Sequence, residues 1–280
     1  AALVYYGIAH PAGFPWIAAI LTGAILAATD PVSVVAKLHS LNAPEELASL
    51  IEAESLLNDA AAVVLFGIVL AFAMGEIQGA AAGVAADFGL VFFGGLLAGA
   101  LIGLLAAGFA RWMASAPVTS IVTVITALGS FYLAEHLLHV SGILSVVAAA
   151  LTLRCLLHDP VHLNSATSTW EWLGLLFNAL VFALLGLAIT YEMFLDQWLA
   201  MLIVILAMLV ARVLSVGVSA FASRVLRRPV SRVWQGVLVW GGLRGAIAIA
   251  LVLSLPVELP YWWTIQSMVF GAVLFSILVQ

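Results

Sequence analysis

Five ionisable side chains stand deep inside long apolar runs: Asp30, Glu54, Asp59, Arg212 and Arg244. Each charge at a bilayer centre costs on the order of 2.5–3.5 kcal/mol on insertion scales, so such residues persist where they pair, line a wet cavity or carry an ion. Two structural salt bridges would use two acids and two bases. Three acids against two bases leave one carboxylate over, and that surplus is what a cation carrier requires. Glu54, Ser55, Asn58 and Asp59 fall on one helical segment. Glu54 and Asn58 share a stripe, Ser55 and Asp59 the adjacent one, so four oxygen-bearing side chains occupy about 140° of arc. Oxygen donors suit a hard monovalent cation. Counted from Glu46, Asp59 lies roughly 20 Å along the helix axis, close to midplane in a tilted helix. Glu52, two turns nearer the helix start, reads equally as part of an entry funnel or as an interfacial carboxylate.

Two further segments carry charge at a helix break. In Ala28-Thr29-Asp30-Pro31 the proline removes a backbone donor and clashes with the preceding turn, so the helix should stop there. Asp30 is then expected as N-cap and Pro31 as first residue of a second half-helix. The carbonyls of Ala28 and Thr29, left unpaired, would be free to coordinate a cation. In Gly241-Gly242-Leu243-Arg244-Gly245 three glycines weaken the helix and permit close backbone approach. Arg244 would neutralise the negative ends of half-helices, as Asp30 would a positive one.

The elements that must position these groups are membrane spans. Of 280 residues, 65% are hydrophobic and 8% charged, with a mean hydropathy of +1.22. A soluble domain would carry about a quarter of its residues as charges. Apolar runs fall at roughly 16–38, 46–74, 86–111, 118–138, 142–158, 171–190, 195–226, 233–254 and 262–280. They predict nine spans preceded by a stub that ends near His10, before a turn rich in proline and glycine (Pro11, Gly13, Pro15). The short loops leave no room for a second domain, so residues 1–280 read as one transmembrane transporter domain, with 16–74 and 195–280 holding the core helices. The chain opens and stops within apolar sequence, which reads as a piece cut at both ends. A single cysteine, Cys155, excludes an internal disulfide. No basic cluster with interleaved aromatics suggests a nucleic-acid partner; the lipid bilayer is the expected surrounding.

Lys37, Arg111, Arg154, Arg224, Arg227, Arg228 and Arg232 fall at the loops after the first, third, fifth and seventh spans. Intervening loops carry Glu76, Asp87, Glu192, Asp196 and Glu258 and no Lys or Arg. The positive-inside rule therefore places loops near 37–45, 111–117, 154–169 and 224–232 in the cytoplasm, and a bacterial inner membrane is the expected location. A broken, charged span followed by another span occurs at 16–74 and again at 233–280, with the two broken spans running in opposite directions. Interrupted helices at corresponding places in inverted halves point to alternating access around a midplane site.

The motifs Ala28-Thr29-Asp30-Pro31-Val32, Glu54-Ser55-Leu56-Leu57-Asn58-Asp59, Ala211-Arg212-Val213-Leu214 and Gly241-Gly242-Leu243-Arg244-Gly245-Ala246 occur in this order. Together with Ala134-Glu135 and Ser141-Gly142-Ile143 they resemble the monovalent cation:proton antiporter family, in its sodium/proton exchanger (NhaP/NHE-like) branch. The resemblance implies an all-α polytopic fold of inverted repeats with two crossing discontinuous helices, and Na+/H+ exchange without a cofactor. It implies that Asp59 carries the ion or proton and that Asn58 marks the electroneutral branch. Thr29, Asp30, Glu54 and Ser55 would help to bind Na+, Arg212 would pair with Glu54, and Arg244 would sit at the second crossing helix. A homodimer is implied as well.

Other classes fit less well. Glu135-His136-Leu137-Leu138-His139 has the wrong order for HExxH, and the inverted zinc motif needs a histidine where Tyr132 stands. An aspartyl protease would use Asp30 and Asp59, yet Gly-x-Gly-Asp is absent. Glu135 reads as cavity-facing or helix-packing. A K+/H+ antiporter of the same fold, or a cation channel, remains as the alternative, although channels need pore-lining rings. His10, His39, His158 and His162 lie near interfaces. Trp16, Trp170, Trp172, Trp198, Trp262 and Trp263 read as interface anchors.

Overall fold

The computed structural model describes residues 1–8, 14–75, 81–157, 159–226 and 230–280, and the side chains of 81–88 fall outside that description. His10, Pro11, Gly13, Glu76, His158, Arg227, Arg228 and the side chain of Asp87 thus lie outside the described residues. The described residues are helical, with no strand among them. The elements are α1 (Ala2–Gly7), α2 (Trp16–Ile25), α3 (Val32–Ser40), α4 (Glu45–Ala73), α5 (Ala81–Met113), α6 (Ala116–Tyr132) running into a π-helical turn (Leu133–Leu137), α7 (Gly142–Leu156), α8 (Pro160–Ala188), α9 (Tyr191–Val225), α10 (Arg232–Trp240), α11 (Ala246–Leu253) and α12 (Trp262–Leu278). Among them α4, α6 with its π turn, α8, α9 and the Gly89–Met113 part of α5 are long and apolar enough to cross a membrane.

Local chemistry explains many of the helix ends. Ser141 and Ser231 cap α7 and α10 by accepting from the N–H groups of Leu144 and Trp234 at 3.3 and 3.2 Å. Lys37, Arg111, Arg154 and Arg224 occupy the last turns of α3, α5, α7 and α9, where a cation complements the helix dipole. Four of the basic residues therefore stabilise helix C-termini.

The chain divides into two compact units. The first comprises Ala1–Ile77 and Val181–Gln280. Its core is built from Leu21 and Ile25 of α2, Val204 of α9, Ile249 of α11, and Ile265, Met268 and Phe270 of α12. Here α12 packs along α9, and Gly271 leaves space for Met201.

The second unit is Gln78–Leu180. Its α5 and α7 run parallel with backbones in close approach: Gly95, Gly99 and Gly103 lie against the backbone of Ser141, Ser145 and Ala149. A Cβ at Gly95 or Gly103 would stand 2.5 Å from the opposing carbonyl oxygen. Small residues four apart on both helices permit this, since lipid gives no hydrophobic drive and association relies on close packing. Glu135, in the π turn, accepts from the Gly142 N–H at 2.9 Å and so fastens α6 to the start of α7.

Large apolar side chains on α8, among them Leu175, Leu176, Leu180, Leu184 and Leu187, are exposed. A membrane helix can carry such a surface because its backbone hydrogen bonds are satisfied within the helix.

Candidate functional site

The site lies in the first unit, where two helices are interrupted. Between α2 and α3 the chain leaves helical geometry, and between α10 and α11 it does so at Gly241–Gly245. A glycine-rich helix without a break is therefore not what forms. At the first break Pro31 has αR geometry and takes the N-cap position, one residue later than expected. Asp30 still serves the terminus, since its carboxylate accepts from the Val32 N–H at 3.1 Å.

The two breaks lie against each other. The Asp30 N–H donates to the Leu243 carbonyl at 2.9 Å. Arg244, 7% exposed, donates through Nη1 to the Ala28 carbonyl at 2.9 Å. Its charge thus sits at the negative end of α2. Gly245 abuts the Asp30 carboxyl so closely that any Cβ there would overlap it. The carbonyls of Ala28 and Thr29 were expected to be open to a cation. Instead Arg244 takes the first and Ser55 Oγ donates to the second at 2.6 Å. In a span, a bare carbonyl costs several kcal/mol, so side chains reach in to satisfy it.

Helix α4 passes beside the first break. Asp59 Oδ1 accepts from the Thr29 N–H at 2.9 Å. Ser55 Oγ stands 3.5 Å from Asp59 Oδ2, and Asn58 Nδ2 reaches Thr29 Oγ1 at 3.4 Å. Thr29 is therefore engaged through its N–H, its carbonyl and its hydroxyl by one face of α4. Glu54, on the same face, is held by Arg212 of α9 in a bidentate pair, with Nη2 to Oε2 at 2.9 Å and Nη1 to Oε1. The third donor of Arg212, Nε, reaches the Leu238 carbonyl at 2.8 Å, near the end of α10. Each broken helix thus has a carbonyl at the end of its first half covered by an arginine. Gly242 makes room for Arg212, because a Cβ there would lie 2.6 Å from Nε. A cavity of about 270 Å³, lined among others by Thr22, Asn58, Arg212, Ser215 and Arg244, adjoins these groups.

All eight residues singled out from the sequence therefore belong to one cluster. Arg244 binds a carbonyl rather than a carboxylate, and among the described residues neither Asp30 nor Asp59 forms an ion pair. Glu52 is exposed on α4, and Glu135 belongs to the second unit. What the sequence did not disclose is the use of Leu238, Leu243 and Ala28 as backbone acceptors and of Gly242 and Gly245 as slots for charged side chains. The glycine spacing was the visible trace of those slots.

Residues 1–280 match, over their whole length, the family described as sodium/hydrogen exchanger, transmembrane. The chain belongs to that family. It is accordingly an integral membrane protein of a transporter family, not of an enzyme family. Similar proteins include the Na+/H+ antiporter NhaG of Bacillus atrophaeus, 37% identical over 272 residues that cover 94% of this chain and 51% of the relative. They include ApNhaP of Aphanothece halophytica, 34% identical over 94% of this chain and 51% of the relative. NhaP of Pseudomonas aeruginosa is 35% identical over 95% of this chain and 64% of its own length. The chain spans about half the length of the first two of these relatives. The solved structure of the sodium proton antiporter MjNhaP1 from Methanocaldococcus jannaschii superposes with a TM-score of 0.78 at 22% identity, covering 99% of this chain and 73% of that one. The exchanger fold is thereby shared, with its paired discontinuous helices at the site described above.

Proposed function

We propose that this chain forms the ion-exchanging core of a secondary active antiporter that trades Na+ for H+ by alternating access. The observation that carries the reading is the Asp59 carboxylate, seated against the first helix break on Thr29 and Ser55 with no ion-pair partner among the described residues. Three curated relatives named as Na+/H+ antiporters support the same reading.

One carboxylate binds a proton or a cation, not both, so the two ions compete. Na+ would take its ligands from Asp59 with Ser55, Thr29, Asn58 and Asp30, all oxygen donors of the kind a hard cation prefers. Glu54 contributes negative charge and spare lone pairs while Arg212 holds it in place. With all five groups ionised the cluster sums to −1, three acids against two bases. Loading either Na+ or H+ brings that sum to zero. Both loaded forms then cross at equal charge, which gives one-for-one, electroneutral exchange. The unloaded form carries a net charge into a low-dielectric region, and that penalty suppresses an empty return stroke. No nucleotide or bound cofactor enters the cycle.

The loops near 37–45, 111–117, 154–169 and 224–232 are assigned to the cytoplasm of a bacterial inner membrane, in keeping with Lys37, Arg111, Arg154 and Arg224 at helix ends. Assembly as a homodimer belongs to the same reading.

Reconstituted vesicles test it. Cation-driven proton flux, measured with and without a clamped membrane potential, is compared between the protein and Asp59→Asn. Flux that is lost in the variant and indifferent to potential is the expected result. Flux that persists without Asp59, or a current with no proton movement, overturns it.

A further inference from the structure

A second cluster lies in the other unit and shares no residue with the exchange cycle. Residues 78–180 contain two strongly basic side chains, Arg111 and Arg154, and no lysine. Both stand in the last turns of parallel helices, α5 and α7, at the same end. Arg111 donates through Nη2 to the Leu156 carbonyl, which fixes its guanidinium at the end of α7. Arg154 is exposed and makes no ion pair among the described residues.

Beside Arg154 a notch of about 730 Å³ opens between the end of α7 and the first two turns of α8. From α8 it takes Pro160, Leu163, Asn164 and Thr167, spaced as one helical stripe; from α7 and its end it takes Arg154, Cys155 and Leu157. The nearest carboxylate in sequence, Asp159, is turned to its own helix. Its Oδ1 accepts from the Val161 N–H at 2.9 Å, and its Oδ2 is 4.0 Å from His162 Nε2. Glu171, a turn beyond Thr167, does not line the notch.

We propose that this notch binds the headgroup of an anionic glycerophospholipid. Arg154, at the basic end of a membrane helix bundle, meets the phosphate. Asn164 and Thr167 offer an amide and a hydroxyl to the polar groups beyond the phosphate, and Leu157 and Leu163 provide an apolar wall for the glycerol and upper acyl segments. Arg154 stands in the last turn of the apolar helix α7, the place where the end of a membrane helix meets phosphate groups. A freely diffusing phosphate would gain nothing from the apolar wall.

The test is lipid retention by the full chain, purified in detergent and offered an equimolar mixture of phosphatidylglycerol and phosphatidylcholine. The expected result is preferential retention of phosphatidylglycerol, with the preference reduced about fivefold in Arg154→Gln, the worth of one basic side chain at an anionic surface. Asn164→Leu, which leaves the charge intact, reduces it as well, while Arg232→Gln in the other unit does not. Unchanged preference in both Arg154→Gln and Asn164→Leu overturns the assignment. Displacement of the lipid by millimolar inorganic phosphate also overturns it, since the site would then recognise a free anion. Arg154 is exposed, so its replacement leaves the packing of α5 on α7 in place, and retention rather than folding is what the experiment reads.

Discussion

Thr29 and Asp59 are joined by a 2.9 Å hydrogen bond from the Thr29 backbone N–H to the Asp59 carboxylate, across 30 residues of sequence. A backbone donor cannot change rotamer, so the carboxylate is held in one place by the break itself. The break that Pro31 closes by starting the second half-helix and the aspartate proposed to carry the ion thus form one device.

If proton and cation share Asp59, acid should weaken the cation alone. More protons mean fewer free carboxylates, so the apparent KM for Na+ rises as pH falls, by up to about tenfold per pH unit, while the rate at saturating Na+ stays level. Proton flux titrated against Na+ at several pH values reads both quantities. A falling maximal rate at constant KM would assign the competing proton to another group.

The glycines of the second break should be intolerant for a steric reason. Gly245 has a φ of −139, outside the left-handed region, so a positive φ is not what reserves this position for glycine. Alanine there meets the Asp30 carboxyl instead, as Gly242→Ala meets Arg212. Overpacking of this kind costs about 1–3 kcal/mol. Both variants should lower the melting temperature and exchange together. Gly236→Ala, with nothing within 4 Å of the new Cβ and a helix-interior position that favours alanine, should lower neither. Equal tolerance at all three positions would mean that the breaks are not in contact.

Arg212 and Glu54 should behave as a buried pair. Removing one partner strands the other and costs about 3–5 kcal/mol in a dry interior. Glu54 is 28% exposed through its side chain, so the lower end applies. Arg212→Ala also releases the Leu238 carbonyl and should be worse than Glu54→Gln. The double variant should fall short of the summed losses. Thermal unfolding of the single and double variants in detergent provides the cycle, and strict additivity would argue against the pair.

Much of this cluster was legible in the sequence because a charge in hydrocarbon is expensive wherever it sits. Asp30, Glu54, Asp59, Arg212 and Arg244 announce themselves without tertiary information. Asp30-Pro31 and the glycines at 241, 242 and 245 likewise mark breaks by local chemistry alone. The carbonyls of Ala28 and Thr29 could not be read correctly, because their partners stand 216 and 26 residues away. A local argument leaves such groups open when the fold closes them. The helical ladder of Gly95, Gly99 and Gly103 was also missed: spacing by four is visible, but it gains meaning only once Ser141, Ser145 and Ala149 lie opposite.

The bond between Arg244 and the Ala28 carbonyl has a consequence for how the protein is made. A ribosome delivers α2 to the bilayer long before it delivers the segment around Arg244, because 216 residues separate the two partners. Until then the end of α2 lacks its guanidinium, and the cavity beside Asn58 lacks one wall. Contacts of such long sequence separation form late. The cavity beside the two breaks is therefore completed only once the segment around Arg244 has been synthesised, so nascent chains that stop short of it lack that closure.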